Sequence, residues 1–330
     1  MSNCSSSTYP EFLQPESFLR TSLHILTTLG LPIHLFGAYC ILFKTPKQML
    51  DMKWTMLNLQ LWSFGFDISV GFLFLPFVTF PAMAGVGLGL LSDLGVPIKF
   101  QTFIGVSSLS AVIVSVTCLF ETRYFYLYAR NSTWKYIRKY WLVANYILAF
   151  TYLTPSLLTV PDQKEAKLFE ILLIPCLPEA ILEDRYFVAT IWRHWVVLNV
   201  AILVIPVFIE CFTFVFLIYR NMRRMSVSAR LSKKTLDLQR NFLTALILQV
   251  ALPVLIICAP LYYFWYSMFT YYYNQGFNNV ATIIISLHGT MSSLAMILIH
   301  KPYREVLKLK GSKSGKKTAG KISVSIVTMH

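Results

Sequence analysis

The chain is 330 residues long, 56% hydrophobic and only 13% charged, about half the ~25% charge usual in soluble globular proteins. With a mean hydropathy of +0.58 and too little polar surface to cover a soluble fold, it is neither disordered, fibrous nor disulfide-rich, and reads as a membrane protein. The formal net charge of +14 would suit nucleic acid or an anionic membrane surface, so the placement of the charge has to decide between them.

In chain order, the first 17 residues are polar, lack Lys and Arg, and have no small-residue cleavage site after a short apolar core. A removed signal peptide is therefore not expected. Asn3-Cys4-Ser5 is a candidate N-glycosylation acceptor. A bilayer crossing needs ~20 apolar residues. Runs free of charge at 21–43, 100–120 and 140–161 each supply one, as do 54–80, interrupted only by Asp67, and 194–219, interrupted only by Glu210. The uncharged run 241–300 is too long for one helix and divides at the polar stretch Tyr271–Asn279. Because these runs are continuous rather than alternating, helices are preferred to a barrel. The expected fold is an all-α, seven-transmembrane helix bundle over 18–300, with spans near 18–43, 54–80, 98–122, 140–160, 194–219, 241–269 and 278–299. An N-terminal tail (1–17) precedes it, and an amphipathic segment with a basic tail (301–330) follows.

Basic residues orient the bundle. The connections 44–53, 123–139 and 220–240 and the tail from 300 hold 23 of the 29 Lys and Arg; the opposite side holds six, together with six acids in 160–193. Cytoplasmic loops collect Lys and Arg, so the N-terminus is expected outside and the C-terminus in the cytoplasm. The excess charge is then topological and faces anionic lipid. No nucleic-acid partner is expected. On this topology Asn131-Ser132-Thr133 is cytoplasmic and is no glycosylation acceptor.

Local sequence narrows the class. Pro32-Ile33-His34-Leu35-Phe36-Gly37 in the first span, Lys44-Thr45-Pro46, Asp51-Met52-Lys53-Trp54, Leu57-Asn58-Leu59, Phe120-Glu121-Thr122-Arg123-Tyr124 and His300-Lys301-Pro302-Tyr303-Arg304 occur in order along the bundle. In these motifs the chain resembles nematode serpentine chemoreceptors of class h over roughly residues 20 to 308. The resemblance implies a G-protein-coupled receptor for an external odorant or pheromone-like molecule. Its partners would be heterotrimeric G proteins, its place the plasma membrane, on sensory-neuron cilia. Unlike rhodopsin-type receptors, the chain has no Cys near the start of span three and no Asn-Pro-x-x-Tyr at the end of span seven. The alternatives are a ligand-gated channel or transporter, for which no internal repeat is found, and a non-signalling scaffold. A dimer is left open.

Candidate residues follow from position. Glu121 and Arg123 end span three at the inner face. Two positions on a helix diverge by roughly 200°, so they are not expected to pair with each other. With Arg220, Arg223 and Arg224 they are candidates for G-protein coupling. The other reading of Arg123 is a purely topological interfacial cation. A mid-span acid such as Asp67 is costly facing lipid, so Asp67 is expected in the bundle interior as a buried polar hub, with His34 and His288 in neighbouring spans as interhelical hydrogen-bond partners. Glu210 is read as structural. Two imidazoles without an acidic third ligand do not suggest a metal.

Tyr262–Tyr266 and Tyr271–Tyr273 put eight aromatics near the outer end of spans six and seven, read as an interfacial belt turned partly inward. Tyr262, Trp265 and Tyr266, at i, i+3 and i+4, are candidate pocket residues together with Gln101 at the start of span three. Gly85-Val86-Gly87-Leu88-Gly89 lacks the strand before it and the Gly-Lys-Ser/Thr after it that a phosphate loop needs, and is read as a flexible outer connection. Cys4 and Cys176, the two outer cysteines, could pair in an oxidising compartment; the six cysteines show no CxxC or Cys/His cluster. No catalytic signature, cofactor site or metal site is found, so no enzyme activity is expected. Tyr303, Val306 and Leu307 form an apolar face suited to a helix lying on the inner leaflet.

Overall fold

The computed structural model describes residues 11–174, 176–227 and 233–307. Backbone polar groups inside a bilayer must be satisfied within the protein, and the apolar runs accordingly form helices. These are α1 (Glu16–Lys44), α2 (Lys53–Ile68), α3 (Ile98–Tyr124), α4 (Trp134–Thr151), α5 (Gln163–Leu173), α6 (Arg193–Val227), α7 (Lys233–Thr270), α8 (Gln275–Ser286) and α9 (His288–Ile299). Among the described residues six helical stretches are long and apolar enough to cross a membrane, with 275–299 counted as one. Together with α2 and its π-turn continuation Ser69–Leu73 they make the seven-helix bundle.

Several elements depart from the apolar runs. The expected span 54–80 stops at Leu73: the last π-turn bond runs from the Phe74 N–H to the Ser69 carbonyl at 2.7 Å, Leu75 then turns left-handed with φ 49°, and Pro76 cannot donate to a continuing helix. α3 runs past 122 into a π turn, Phe125–Ala129. α4 starts before 140, at Trp134, where the indole has a partner at Glu121. α6 and α7 extend 35 and 38 residues, beyond the bilayer, where a helix no longer needs an apolar surface. The seventh span is interrupted at Leu287, between α8 and α9.

The structure adds a small sheet that an all-helical reading omits. β1 (Pro76–Val78), β2 (Ala84–Gly87) and β3 (Phe187–Val188) pair antiparallel in the order β1-β2-β3. Phe77 lies opposite Val86, and Gly85 opposite Phe187. The Gly-rich stretch is thus the central strand and not a flexible connection. Gly85 is required there, since a Cβ would come within 2.6 Å of the Phe77 carbonyl oxygen.

α3 and α6 run parallel, with Thr117 beside Val207 and Tyr124 beside Phe214. One core cluster lies at the sheet end and includes Leu23, Leu75, Phe77, Ile181 and Val188. Another lies toward the opposite end and includes Met52, Met56, Phe120, Ile218, Leu246 and Tyr303. Tyr303 therefore does not lie on a lipid leaflet: its ring is fully buried and its hydroxyl is 2.9 Å from Thr45 Oγ1.

Candidate functional site

Beneath the sheet lies a cavity of about 360 Å³, within the range of small-molecule sites. Phe77 and Val86 line it from the sheet, Val106 from α3, Tyr152 from the end of α4, Phe264 from α7 and Thr282 from α8. Phe264 stacks on Phe80 with ring centroids 4.3 Å apart, joining α7 to the β1–β2 hairpin. Among the described residues no charged side chain lines the cavity. Most of its hydroxyls are already engaged: Thr282 donates to the Asn278 carbonyl at 2.9 Å, Thr190 accepts from the Trp192 N–H at 3.0 Å, and Ser156 accepts from Asn199. Such a lining suits an uncharged, apolar molecule.

The four residues proposed for a pocket do not line this cavity. Gln101 is buried, but its amide donates to the Val96 carbonyl at 2.6 Å and to Ser92 at 3.0 Å, pinning the loop before α3. Tyr262, Trp265 and Tyr266 are 66%, 51% and 46% exposed and face away from the bundle. On α7 it is Phe264 that turns inward, which the i, i+3, i+4 pattern alone could not distinguish.

The loop elements close the sheet end. Asp162 caps α5, accepting from the Lys164 and Glu165 N–H groups at 3.0 and 3.2 Å. Gln163 then bonds both backbone groups of Val188 on β3. The Glu170 carboxylate, fully buried, meets Arg193 at 2.6 Å. Arg193 also donates to the Pro81 carbonyl at 3.1 Å and lies 5.0 Å from the Tyr271 ring centroid. Burial pushes the Glu170 carboxyl up to about 7 even though Arg193 opposes the shift. Cys176 in this loop is disulfide-bonded. Cys4 and Asn3 lie outside the described residues.

Asp67, His34 and the start of α9 meet midway along the bundle. The carboxyl accepts from the Gly289 N–H at 3.1 Å and the Thr290 hydroxyl at 2.8 Å, and lies 2.9 Å from His34 Nε2. The break at Leu287 explains the first of these, since the first N–H groups of a helix have no partner within it and favour an anion. On its other side, His34 Nδ1 is 3.0 Å from Ser293 and 3.2 Å from Gln60. His288 is not in this network: it lies edge-on to Phe66, and its Nδ1 has no hydrogen-bond partner among the described residues. Sequence reasoning missed Gln60 and Ser293. Their signal was present in the polar stripes Gln60, Ser63, Asp67 on α2 and Gly289, Ser293 on α9, spaced three or four positions apart. Among the described residues no group of three or more His, Cys, Asp or Glu could hold a metal.

At the opposite end Glu121 and Arg123 take different partners. Glu121 is buried and paired with Arg138 at 2.8 Å, with the Trp134 indole donating at 2.7 Å. Arg123 is 9% exposed, and its guanidinium lies 4.4 Å from the Phe242 ring centroid on α7. Its Nε has no hydrogen-bond partner among the described residues. Arg220, Arg223 and Arg224 are exposed near the end of α6, the same end as Arg123, because α3 and α6 are parallel.

The squid rhodopsin crystal structure aligns over 97% of this chain and 98% of its own, at a TM-score of 0.49 and 12% identity. Serpentine receptor class H-72 of Caenorhabditis elegans is 27% identical over 309 residues, 91% of this chain and 87% of that one. The family model for the serpentine type 7TM GPCR chemoreceptor Srh matches residues 14–310. That match takes in every membrane helix, the sheet, and both ends of the bundle, and by it the chain belongs to the Srh family of seven-transmembrane chemoreceptors.

Proposed function

We propose that the protein is a chemosensory receptor that binds an external, apolar small molecule in the cavity under the sheet and activates heterotrimeric G proteins at the opposite end. The cavity carries the reading: among the described residues its lining is uncharged, and loop elements roof it, as suits a receptor for odorant or pheromone-like molecules. The distribution of Lys and Arg supports the sheet end as the outer face and the end bearing Arg123, Arg220, Arg223 and Arg224 as the cytoplasmic one. Plasma membrane, on sensory-neuron cilia, is the proposed location.

Coupling follows from population shift: a ligand that binds one bundle arrangement more tightly favours it by its differential affinity. The element poised to differ is the contact between Arg123 on α3 and Phe242 on α7. A cation over an aromatic ring contributes ~0.5–2 kcal/mol, little enough for a bound ligand to overturn. Separation of these two helices would expose Arg123 to a G-protein carboxyl terminus.

The test is a second-messenger reporter in cells expressing the full chain, screened with apolar volatile mixtures. Val106→Trp fills the cavity and is expected to abolish the response or raise the effective concentration by tenfold or more, at unchanged surface expression. Arg123→Ala is expected to remove the signal but leave ligand binding intact. A response unaffected by Val106→Trp would place the ligand elsewhere.

A further inference from the structure

A second cavity, of about 550 Å³, lies at the end of the bundle opposite the sheet. Its floor is the last turns of α3, with Cys118, Glu121 and Thr122. Its walls are the first turns of α2 and α4, which diverge on either side of α3. Lys135, Arg138 and Lys139 of α4 line it, and Trp54 of α2, 69% exposed, stands across from them. Against these three cations the lining offers a single acid, Glu121, which Arg138 and the Trp134 indole already satisfy. Lys135 and Lys139 are exposed, and no ion pair engages either among the described residues. Toward the middle of the bundle lie Leu142 and the Tyr146 ring, and the polar groups at that depth, Asn58 and the Tyr146 hydroxyl, bond each other at 2.7 Å and Ser115. An aromatic wall continues there, with the Trp62 ring 6.3 Å from Tyr146 and 5.8 Å from Phe150.

We infer that this crevice binds an anionic phospholipid, its phosphate between Lys135, Arg138 and Lys139 and an acyl chain along Leu142, Tyr146 and Trp62. The order of the lining matches the depth profile of a lipid: cations and Trp54 at the membrane edge, where amphipathic aromatics and basic side chains settle, and apolar rings deeper. Basic pockets between transmembrane helices at a membrane edge are suited to phosphate headgroups. Arg138 commits Nη2 to Glu121 and Thr122, which leaves other guanidinium donors for an anion. A soluble phosphate would find the same cations but make no use of Leu142 and the aromatic rings deeper in. The inference needs only that the chain spans a bilayer, and stands apart from the ligand and G-protein reading.

The test uses the purified full-length chain in phosphatidylcholine nanodiscs, titrated with phosphatidic acid and read by native mass spectrometry of retained lipid. Wild type is expected to retain phosphatidic acid in preference to phosphatidylcholine. Lys135→Ala/Lys139→Ala should weaken that retention about thirtyfold, while Lys135→Arg/Lys139→Arg should preserve it. Both lysines are exposed, so neither variant threatens the fold. Lys47→Ala/Lys301→Ala removes the same charge from exposed positions outside the crevice and should change retention less than about twofold. Equal losses in the two alanine pairs would reduce the effect to surface potential and overturn the site. Displacement of bound phosphatidic acid by glycerol 3-phosphate as effectively as by more lipid would overturn the lipid assignment. Absence of any preference for phosphatidic acid in the wild type would overturn both.

Discussion

Asp67 ties α1, α2 and α9 together through one carboxyl group, which accepts from Gly289 and Thr290 and meets His34. Removing it strands several buried polar groups at once. Interhelical hydrogen bonds in membranes contribute on average less than 1 kcal/mol each, but a buried group left unsatisfied costs ~1–3 kcal/mol. Asp67→Ala is therefore expected to destabilise the bundle by about 2 kcal/mol or more, read as a fall of several degrees in Tm in detergent, with Asp67→Asn retaining part of the loss as an acceptor. That Asp67 must face inward is legible in the sequence, because an acid in lipid is expensive. Gln60, which bonds His34 and Ser293 on the far side of the imidazole, was legible only as part of a polar stripe on α2. The role of Gly289 was not, because it depends on a helix break that no local signal announces. Arg138 as the partner of Glu121 was equally hidden, for it lies 17 positions away across a turn whose geometry the residues between do not specify.

At the scale of elements the sheet and its loop helix decide how the cavity is covered. Gly85 sits where a side chain would strike the Phe77 carbonyl oxygen. Backbone cannot yield as a side-chain tip can, so Gly85→Val should uncouple β1 from β2 and lower surface expression, and deuterium exchange over 76–87 should rise well above wild type. Glu170 adds a pH dependence. Its folded-state value of about 7 lies above the ordinary 4.5, so between these values the folded loop holds the proton more tightly than the unfolded chain. Its contribution to stability is present below about pH 4.5 and is lost as pH rises through about 7. Hydrogen exchange over 163–188 should therefore quicken relative to Glu170→Gln as pH rises across that window, after correction for intrinsic exchange. An apolar-run count could not yield these elements. The Gly-rich stretch alternates Ala84, Val86 and Leu88 with glycines, which weaken a strand, and its pairing is completed by β3, about 100 positions further along the chain.

For the whole molecule the leading prediction is topological. An epitope placed at the N-terminus should be stained by antibody on intact cells, and one at the C-terminus only after permeabilisation; the reverse would exchange the outer and cytoplasmic faces and with them the proposed ligand and coupling ends. Seven crossings and membrane class were determined by the sequence alone. Burying apolar runs of some twenty residues in lipid is a local demand, met segment by segment, and is written into composition before any helix touches another. The family motifs were legible for the same reason, as ordered local signatures. Which side of each helix faces its neighbours is a different matter. Tyr262 and Phe264 are two positions apart on one apolar helix, and lipid and protein interior are equally apolar, so hydropathy cannot say which of them turns inward. Only packing against α3, α8 and the sheet settles that, and it is packing that placed the cavity, the Asp67 network and the basic crevice where they are.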